Sequence, residues 1–493
     1  MKEECGICGI SCREGGETKL YKMLVQLQHR GQLSAGITVY HPQEAKVLKT
    51  HKDLGLVNNV FKTHNLGKFV TLMNTLSTKT GIGHVRYATS GADDVDYAQP
   101  FERVHGKREK WFSMSFNGNL TNYQQLKNSL ERSGYYMIRE TDTEILLHLI
   151  SKALKEDERR DYKEVFEEVS KQIDGAYSLA FLNAEGTLIA LRDPLGIKPL
   201  CYSEKDGDFA FASESVALEA IGFEDIKDLP PGHLLIRENG VTRIERYSVS
   251  GKHAHCFFEW IYFAHPASKM EEQLVYSSRR ALGRELAKLE TEKVDDNSVV
   301  VAVPDSSTPA GTGFAEAMNL PMQEGLIRNR YVGRTFIESV DRANRVRDKF
   351  TILKDVFEDK KVFLIEDSIV RGTTLQNLVA FIKKVGKPRE IHVRVSCPPI
   401  MWPCFYGIDM SSKKELMAVG KTEKEIAQEL GVDSVIYQSV QGLVNAIGLD
   451  EKDFCLACIC GKYPTPVGQQ LSLFNGEGRA QEKEESITEK QVE

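Results

Sequence analysis

The segment that most constrains the fold is an apolar run, Val362 to Ile365, that ends in two acids, Glu366 and Asp367. A second apolar run, Val299 to Val303, is followed by a loop rich in Pro, Ser and Gly. Continuous apolar strands that alternate with helices are typical of a parallel, doubly wound sheet. Because ligands of such sheets bind beyond the carboxyl ends of the strands, the sequence predicts a ligand site at these two loops.

The residues after the two acids favour a phosphate ligand. Ser368, Gly372, Thr373 and Thr374 supply hydroxyls, a flexible turn and backbone amides just before a helix predicted over Leu375–Val385. A helix N-terminus with free N–H groups suits a phosphate monoester, and adjacent carboxylates suit ribose hydroxyls or Mg²⁺. The alternative, an acidic N-cap with solvated neighbours, explains one acid and one threonine but not the whole run.

Near the N-terminus, Cys5 follows only four residues. If Met1–Glu4 are removed, Cys5 carries a free α-amine beside its thiol, and that amine can accept the thiol proton. The alternative is an ordinary buried thiol in a first β-strand.

Length and charge exclude several classes of function. The 493 residues predict two or three domains, and a net charge of −6 gives no electrostatic footprint for nucleic acid. No apolar run suits a signal peptide or a membrane span, so a cytoplasmic protein without membrane partners is expected. The charged tail, residues 471–493, is expected to be disordered.

The first half mixes short strands with a few helices, which suits sheets covered by helices. A composition change near Ser248–His255 indicates a linker. The predicted helices are Leu20–Gln28 and Thr141–Leu154, and the predicted strands include Gly36–Tyr40, Met114–Asn117, Tyr177–Leu182 and Leu188–Leu191.

Ten cysteines in a long chain without a secretion signal favour metal binding or catalysis over disulfides. Cys455 and Cys458 have the spacing by which two thiolates from one turn reach the same metal or cluster. Two further ligands must come from distant segments.

The run from Glu366 to Thr374 resembles the 5-phosphoribosyl 1-diphosphate (PRPP) loop of type I phosphoribosyltransferases, and in particular that of the glutamine PRPP amidotransferase family. This resemblance covers nearly the whole chain. It implies that Ser306, Glu366 and Asp367 hold Mg²⁺, and that PRPP is bound by Asp367, Ser368, Arg371, Gly372, Thr373 and Thr374. The segment Ile327–Ile337 also matches the family, and Val346–Phe350 resembles its mobile loop.

The first half resembles an N-terminal-nucleophile glutaminase. The resemblance implies that Cys5 is the nucleophile, that Asn117 and Gly118 form the oxyanion hole, and that Arg86 and Asp142 bind the carboxylate and the ammonium of glutamine. Each of these has an alternative in the sequence alone. Asn117-Gly118 is also a hairpin-turn signal, Arg86 could form a surface ion pair, and Asp142 could be a helix cap.

Some positions depart from the family pattern. Leu33 stands where the family usually has Asp, and Phe116 where it usually has His. Glu366 replaces a commoner Asp, and Leu375 a commoner Ser. Leu33 and Phe116 flank the proposed glutaminase site, so they keep open a non-catalytic paralogue that binds PRPP or nucleotides and acts as a regulator.

One subset of the family carries a [4Fe–4S] cluster and is made with a short propeptide. The matching ligands here are Cys256, Cys404, Cys455 and Cys458, and the propeptide is 1–4. Four thiolates without histidine also suit structural zinc.

The expected fold is α/β, with an N-terminal-nucleophile αββα sandwich over 5–250 and a phosphoribosyltransferase domain with the cysteine segment over 251–470. The expected reaction converts glutamine, PRPP and water to 5-phosphoribosylamine, glutamate and diphosphate, the first step of purine nucleotide synthesis. The resemblance further implies a homotetramer and feedback inhibition by purine nucleotides.

Overall fold

The computed structural model describes residues 5–87, 94–154, 160–329, 348–410 and 412–473. The proposed propeptide 1–4, most of the family segment Ile327–Ile337, the first two residues of the segment compared with the mobile loop, and the tail from 474 lie outside these ranges. The domain boundaries proposed from the sequence stay predictions.

Two antiparallel sheets make up the first half. In chain order their strands are β1 (Gly6–Ser11), β2 (Ser34–Tyr40), β3 (Leu48–Leu54), β4 (Thr80–Arg86), β5 (Phe101–Arg103), β6 (Phe112–Leu120), β7 (Gly175–Asn183), β8 (Leu188–Arg192), β9 (Cys201–Lys205), β10 (Asp208–Ala212), β11 (Lys227–Asp228), β12 (His233–Glu238) and β13 (Val241–Arg246). The first sheet has the order β11-β9-β10-β1-β4-β2-β3, and the second has the order β13-β12-β8-β7-β6-β5.

The two sheets pack face to face. β1 and β4 contact β6 and β7, and apolar side chains from both sheets, among them Ile7, Ile82, Leu182 and Leu235, form the core between them. Because strand side chains alternate between faces, the other face of each sheet is free to bury a layer of helices.

Helices cover both outer faces. They are α1 (Gly16–Gln26), α2 (Val57–Val60), α3 (Leu66–Thr75), α4 (Tyr123–Arg132), α5 (Asp142–Ala153), α6 (Tyr162–Ser170) and α7 (Ser215–Glu219). The first three and α7 pack on the first sheet, whereas α4 to α6 pack on the second. The predicted layering of helix, sheet, sheet and helix is therefore confirmed.

The second half is built around a parallel sheet. Its strands are β17 (Ser298–Ala302), β20 (Lys361–Glu366), β21 (Glu390–Val395) and β22 (Ser434–Tyr437), in that order. The helices are α8 (Val275–Ala287), α9 (Thr308–Met318), α10 (Lys354–Phe357), α11 (Thr373–Gly386), α12 (Glu423–Leu430), α13 (Val440–Ile447), α14 (Ala457–Cys460) and α15 (Pro466–Leu473). Because α9 packs on one face and α11 on the other, the predicted doubly wound arrangement is confirmed.

Short strand pairs complete the second half. They are β14 (His255–Cys256) with β23 (Phe454–Cys455), β15 (Lys269–Met270) with β16 (Gln273–Leu274), and β18 (Leu326–Arg328) with β19 (Phe350–Ile352). The first pair is parallel and sets Cys256 opposite Cys455. It thus joins the segment after the predicted linker to the C-terminal segment. Within the described ranges, no helix combines the length and the apolar character needed to cross a bilayer.

Candidate active sites and cysteine cavity

Cys5 lies directly before β1, at the edge where β1 meets β4. Gly6 pairs with Val85, so Cys5 is in register with Arg86 at the end of β4. The thiol of Cys5 donates to the carbonyl oxygen of Tyr87 at 3.7 Å and is partly exposed. The sulfur therefore lies at the accessible end of a central strand rather than in the core.

Asn117 and Gly118 lie inside β6, which packs against β1 and β4. The hairpin-turn alternative is therefore wrong, because both residues pair with β7 along a continuous strand. Asn117 is 1% exposed, and its Nδ2 is buried without a hydrogen-bond partner among the described residues. An amide donor left in this state is suited to an oxygen that a bound substrate supplies.

Gly118 allows a close approach of backbones. A Cβ atom at this position would lie 2.2 Å from the carbonyl oxygen of Ala176, so any larger residue would push β6 away from β7. The residue before the pair, Phe116, is joined to β4 through its carbonyl oxygen, which accepts from Nε2 of His84 at 3.1 Å. Burial lowers the pKa of His84 to about 3, so a neutral ring holds the two sheets together.

Arg86 and Asp142 both lie beside the strands that carry Cys5 and Asn117. Arg86 is 5% exposed, and its guanidinium lies over the ring of Tyr97 at 5.5 Å, so the surface ion-pair alternative is wrong. Asp142 is the first residue of α5, where Thr141 is the N-cap, so the cap alternative is wrong as well. A carboxylate oxygen of Asp142 accepts from the backbone N–H of Leu120 at 3.1 Å, which ties it to the strand of Asn117.

Leu33, one of the departures from the family pattern, is buried, and its backbone N–H donates to the carbonyl oxygen of Arg86 at 3.0 Å. A backbone bond of this kind is available to any residue except proline. The structure thus gives Leu33 a backbone role beside the site that does not depend on its side chain.

The two loops predicted to bind a phosphate ligand meet at the carboxyl edge of the parallel sheet. Ser306, after β17, donates to Asp367, after β20, at 2.5 Å between the oxygen atoms. Ser307 donates to Glu366 at 3.4 Å, and Ser368 donates to the other oxygen of Asp367. Burial raises the pKa of Glu366, and the neighbouring Asp367 raises it further.

Gly372 shapes the N-terminus of the helix that follows. It has φ of 74° at the N-cap of α11, a conformation that favours glycine. A Cβ atom there would lie 2.3 Å from Sδ of Met417. The backbone amides of Thr373 and Thr374 begin the helix, while Arg371 is held on the loop by Glu415 at 2.5 Å.

The four predicted cysteine ligands line one cavity, together with Ile197, Tyr406, Ile408 and Ala457. They are Cys256, Cys404, Cys455 and Cys458. Burial raises the pKa of the Cys455 thiol to about 12, and the neighbouring thiols contribute to that rise. The sulfur of Cys404 already accepts from the backbone N–H of Tyr406 at 3.3 Å. Cys397 and Cys460, which are not among the predicted ligands, are absent from this lining.

Several buried contacts near these sites were not identified from the sequence. Arg30 was not proposed as a site residue, yet its Nε donates to the carbonyl oxygen of Cys5 at 3.3 Å. Glu259 binds Arg30 but lies in no recognisable motif. Asn119 donates from Nδ2 to the carbonyl oxygen of Phe405 at 2.6 Å, which joins the strand of Asn117 to the cysteine segment.

Comparison with known proteins agrees with this arrangement. Residues 84–220 match a glutamine amidotransferase domain. The amidophosphoribosyltransferase of Methanothermobacter thermautotrophicus is 39% identical over 481 residues, which is 96% of this chain and 97% of the relative. That of Bacillus subtilis is 38% identical over 479 residues, which is 96% of each. The chain belongs to the amidophosphoribosyltransferase family.

Solved structures support membership of the amidophosphoribosyltransferase family. Bacillus subtilis glutamine PRPP amidotransferase, complexed with ADP and GMP, gives a TM-score of 0.83 at 36% identity and covers 94% of this chain and 98% of that chain. An allosteric regulatory enzyme of purine biosynthesis gives a TM-score of 0.84 at 37% identity and covers 94% of this chain and 97% of that chain. The predicted fold and activity are confirmed: the chain is a glutamine-dependent transferase acting on PRPP in the first step of purine synthesis. This favours the enzyme over the regulatory paralogue.

Proposed function

We propose that glutamine is hydrolysed at Cys5. The thiol attacks the side-chain amide carbon, and the α-amine, freed when 1–4 are removed, accepts the thiol proton and returns it to the departing ammonia. Water then hydrolyses the thioester to glutamate and the free thiol. The observation that carries this proposal is the buried, unpartnered Nδ2 of Asn117, on a strand packed against the one that Cys5 precedes. With the N–H of Gly118, it would stabilise the oxyanion.

Recognition of the amino acid is assigned to Arg86 and Asp142. Arg86 would pair with the α-carboxylate, and its burial strengthens that ion pair because water screens it less. Asp142 would accept from the α-ammonium while Leu120 holds its carboxylate. The two charges of free glutamine would thereby set the position of its amide.

PRPP is assigned to the carboxyl edge of the parallel sheet. The N–H groups at the start of α11 would bind the 5-phosphate, and the acids would face the ribose and diphosphate. Ser306, Glu366 and Asp367 would hold Mg²⁺, an ion that prefers oxygen ligands. The hydroxyl of Ser306 donates to the carboxylate of Asp367, and the carboxylate of Glu366 accepts from the backbone N–H of Asp367. Mg²⁺ there would supply positive charge against the departing diphosphate. Ammonia from the first site would displace diphosphate at C1 of PRPP and give 5-phosphoribosylamine.

The cysteine cavity is assigned to a [4Fe–4S] cluster held by Cys256, Cys404, Cys455 and Cys458. A single zinc ion needs its sulfurs about 2.3 Å away. Across the ranges that the structure covers, no three His, Cys, Asp or Glu side chains are grouped to hold one ion. Four thiols that line one cavity without being grouped around one ion therefore suit a polynuclear group better. When bound, the cluster would hold three segments of the chain together.

Regulation by purine nucleotides is also proposed. The Bacillus subtilis structure contains ADP and GMP, and this chain covers nearly all of that protein. We propose that purine nucleotides inhibit the present chain as end products of its pathway. The homotetramer and the cytoplasmic location stay predictions.

The test combines two nitrogen sources. Cys5→Ala is expected to abolish 5-phosphoribosylamine formation from glutamine and to leave formation from ammonia intact. A Cys5→Ala protein that still uses glutamine would rule out the nucleophile, and so would a fully active protein whose mass retains 1–4. Iron and sulfide analysis of anaerobically purified protein is expected to give four of each per chain for the proposed [4Fe–4S] cluster. One zinc per chain without iron would reject the cluster.

A further inference from the structure

Glu259 reaches the nucleophile from the other half of the chain. It opens a π-helical turn, Glu259–Phe263, three residues after Cys256. Both of its carboxylate oxygens accept from Arg30, at 2.6 Å from Nη2 and 3.1 Å from Nη1. Arg30 precedes β2 in the glutaminase half and donates from Nε to the carbonyl oxygen of Cys5. One guanidinium therefore joins Cys5 to a carboxylate of the phosphoribosyltransferase half.

Glu214 completes a buried ionic cluster around this guanidinium. It accepts from Nη1 of Arg30 at 2.5 Å and from Nε2 of His29 at 2.7 Å. Its other oxygen accepts from the N–H of His265 and from the hydroxyl of Ser268, both at 2.7 Å. The side chains of Arg30, Glu214 and Glu259 are at most 2% exposed. Removing one partner would therefore leave a buried charge uncompensated, which is strongly destabilising.

The same turn is held by a second buried arginine. Arg279 on α8 donates from Nε to the carbonyl oxygen of Trp260 at 2.7 Å and from Nη2 to that of Ala264 at 2.8 Å. It thereby fixes both ends of the turn that begins at Glu259. The position of the Glu259 carboxylate is therefore set by this turn as well as by Arg30.

We propose that Glu259 is a positioning residue for glutamine hydrolysis, which holds Arg30 against the Cys5 carbonyl and ties the nucleophile to a turn of the phosphoribosyltransferase half that Arg279 supports. The inference rests on Cys5 being the nucleophile. Because Cys5 is held through its carbonyl, a small shift there redirects both its thiol and its amine.

The test is Glu259→Gln in the full-length chain. The amide keeps the size of the side chain but removes the charge that holds Arg30. We expect the PRPP-stimulated glutaminase kcat to fall by about 10- to 100-fold, the scale of a nucleophile misplaced by about 1 Å. Ammonia-dependent synthesis and the KM for PRPP are expected to stay unchanged, because neither uses Cys5. Glu259→Asp, which keeps the charge, is expected to restore part of the loss.

Glu290→Gln is the matched control. Glu290 forms a buried two-point ion pair with Arg394, at 2.6 and 2.7 Å, and is also 2% exposed. It lies in the parallel-sheet half and contacts neither proposed site. Its loss is expected to lower the unfolding temperature about as much as Glu259→Gln does, while the ratio of glutamine- to ammonia-dependent rates stays that of the unmodified chain.

The outcomes separate the inference from the function it rests on. Equal rate ratios in Glu259→Gln, Glu290→Gln and the unmodified chain would overturn the positioning role. If Glu259→Gln does not fold, Glu259→Asp decides, because an unchanged ratio there overturns the proposal and a lowered one supports it. A Cys5→Ala protein that keeps glutamine-dependent activity would instead reject the proposed function.

Discussion

Asn117→Ala removes the proposed oxyanion donor with little change to the rest of the site. The side chain is 1% exposed, and its Nδ2 has no hydrogen-bond partner within the described part of the chain. Loss of one such donor costs about 2.7–4 kcal/mol of transition-state stabilisation, which lowers kcat by about 10²- to 10³-fold. The assay is steady-state formation of glutamate with saturating PRPP, run beside ammonia-dependent synthesis, which is expected to be unaffected.

Asn183 provides the matched control for stability. It lies on the neighbouring strand β7, is fully buried, and donates from Nδ2 to the hydroxyl of Tyr162 at 2.5 Å. Its Oδ1 accepts from the N–H groups of Glu185 and Thr187. Asn183→Ala leaves these groups unsatisfied at about 1–3 kcal/mol each, so it is expected to lower stability more than Asn117→Ala and to spare the rate ratio. Full glutamine-dependent kcat in Asn117→Ala would refute the assignment of the donor.

Three further outcomes are expected. Gly372→Ala places a Cβ atom against Met417 at a φ of 74°, so the KM for PRPP should rise while PRPP-independent glutaminase activity persists; an unchanged KM would contradict a role for this turn. Burial lowers the pKa of His84 to about 3, so the ring is neutral when folded and takes up a proton on unfolding below about pH 6.5; stability should therefore fall as the pH drops from about 6.5 to about 3, by up to about 1.4 kcal/mol per pH unit. Urea unfolding of His84→Gln should show a smaller slope over that range, and an equal slope would mean that other groups cause it. Asn119→Leu removes the bond to Phe405 and should lower the yield of 5-phosphoribosylamine per glutamate released, which parallel product assays would measure; equal coupling would show that the contact is only structural.

Local patterns predicted the parallel sheet of the second half, whereas the layered sandwich of the first half was predicted from the family resemblance. The apolar run from Val299 was predicted as a strand and is observed as Ser298–Ala302, and the helix predicted over Leu375–Val385 begins two residues earlier. The earlier start reflects Gly372, whose left-handed backbone turns the chain into the helix. The helix predicted over Thr141–Leu154 is observed as Asp142–Ala153, and Thr141 is its N-cap, whose side chain accepts from the N–H of Glu144. Such features depend on neighbours within one turn, which the sequence shows directly.

Contacts between distant segments were not predicted, because nothing in a short window signals them. Arg30 and Glu259 are 229 residues apart, and Glu259 stands in an aromatic segment that looks like ordinary core. The alternative of a hairpin turn at Asn117-Gly118 failed for a related reason. Asn-Gly favours a turn without requiring one, and here β6 continues through it as one strand of nine residues. Sheet pairing with β7, not local preference, sets that geometry.

The segments that line the cysteine cavity also contact both parts of the proposed glutaminase site. Cys404 is followed by Phe405, whose carbonyl oxygen binds Asn119 two residues after Asn117. Cys256 precedes Glu259, which binds Arg30. The strand of the proposed oxyanion donor is thus bonded to the segment of Cys404. The proposed nucleophile is connected through Arg30 to the segment of Cys256. A group that holds both segments would fix their separation, so its loss should impair glutamine use before it impairs the ammonia reaction at the parallel sheet. The opposite order would mean that the cavity serves the phosphoribosyltransferase half alone.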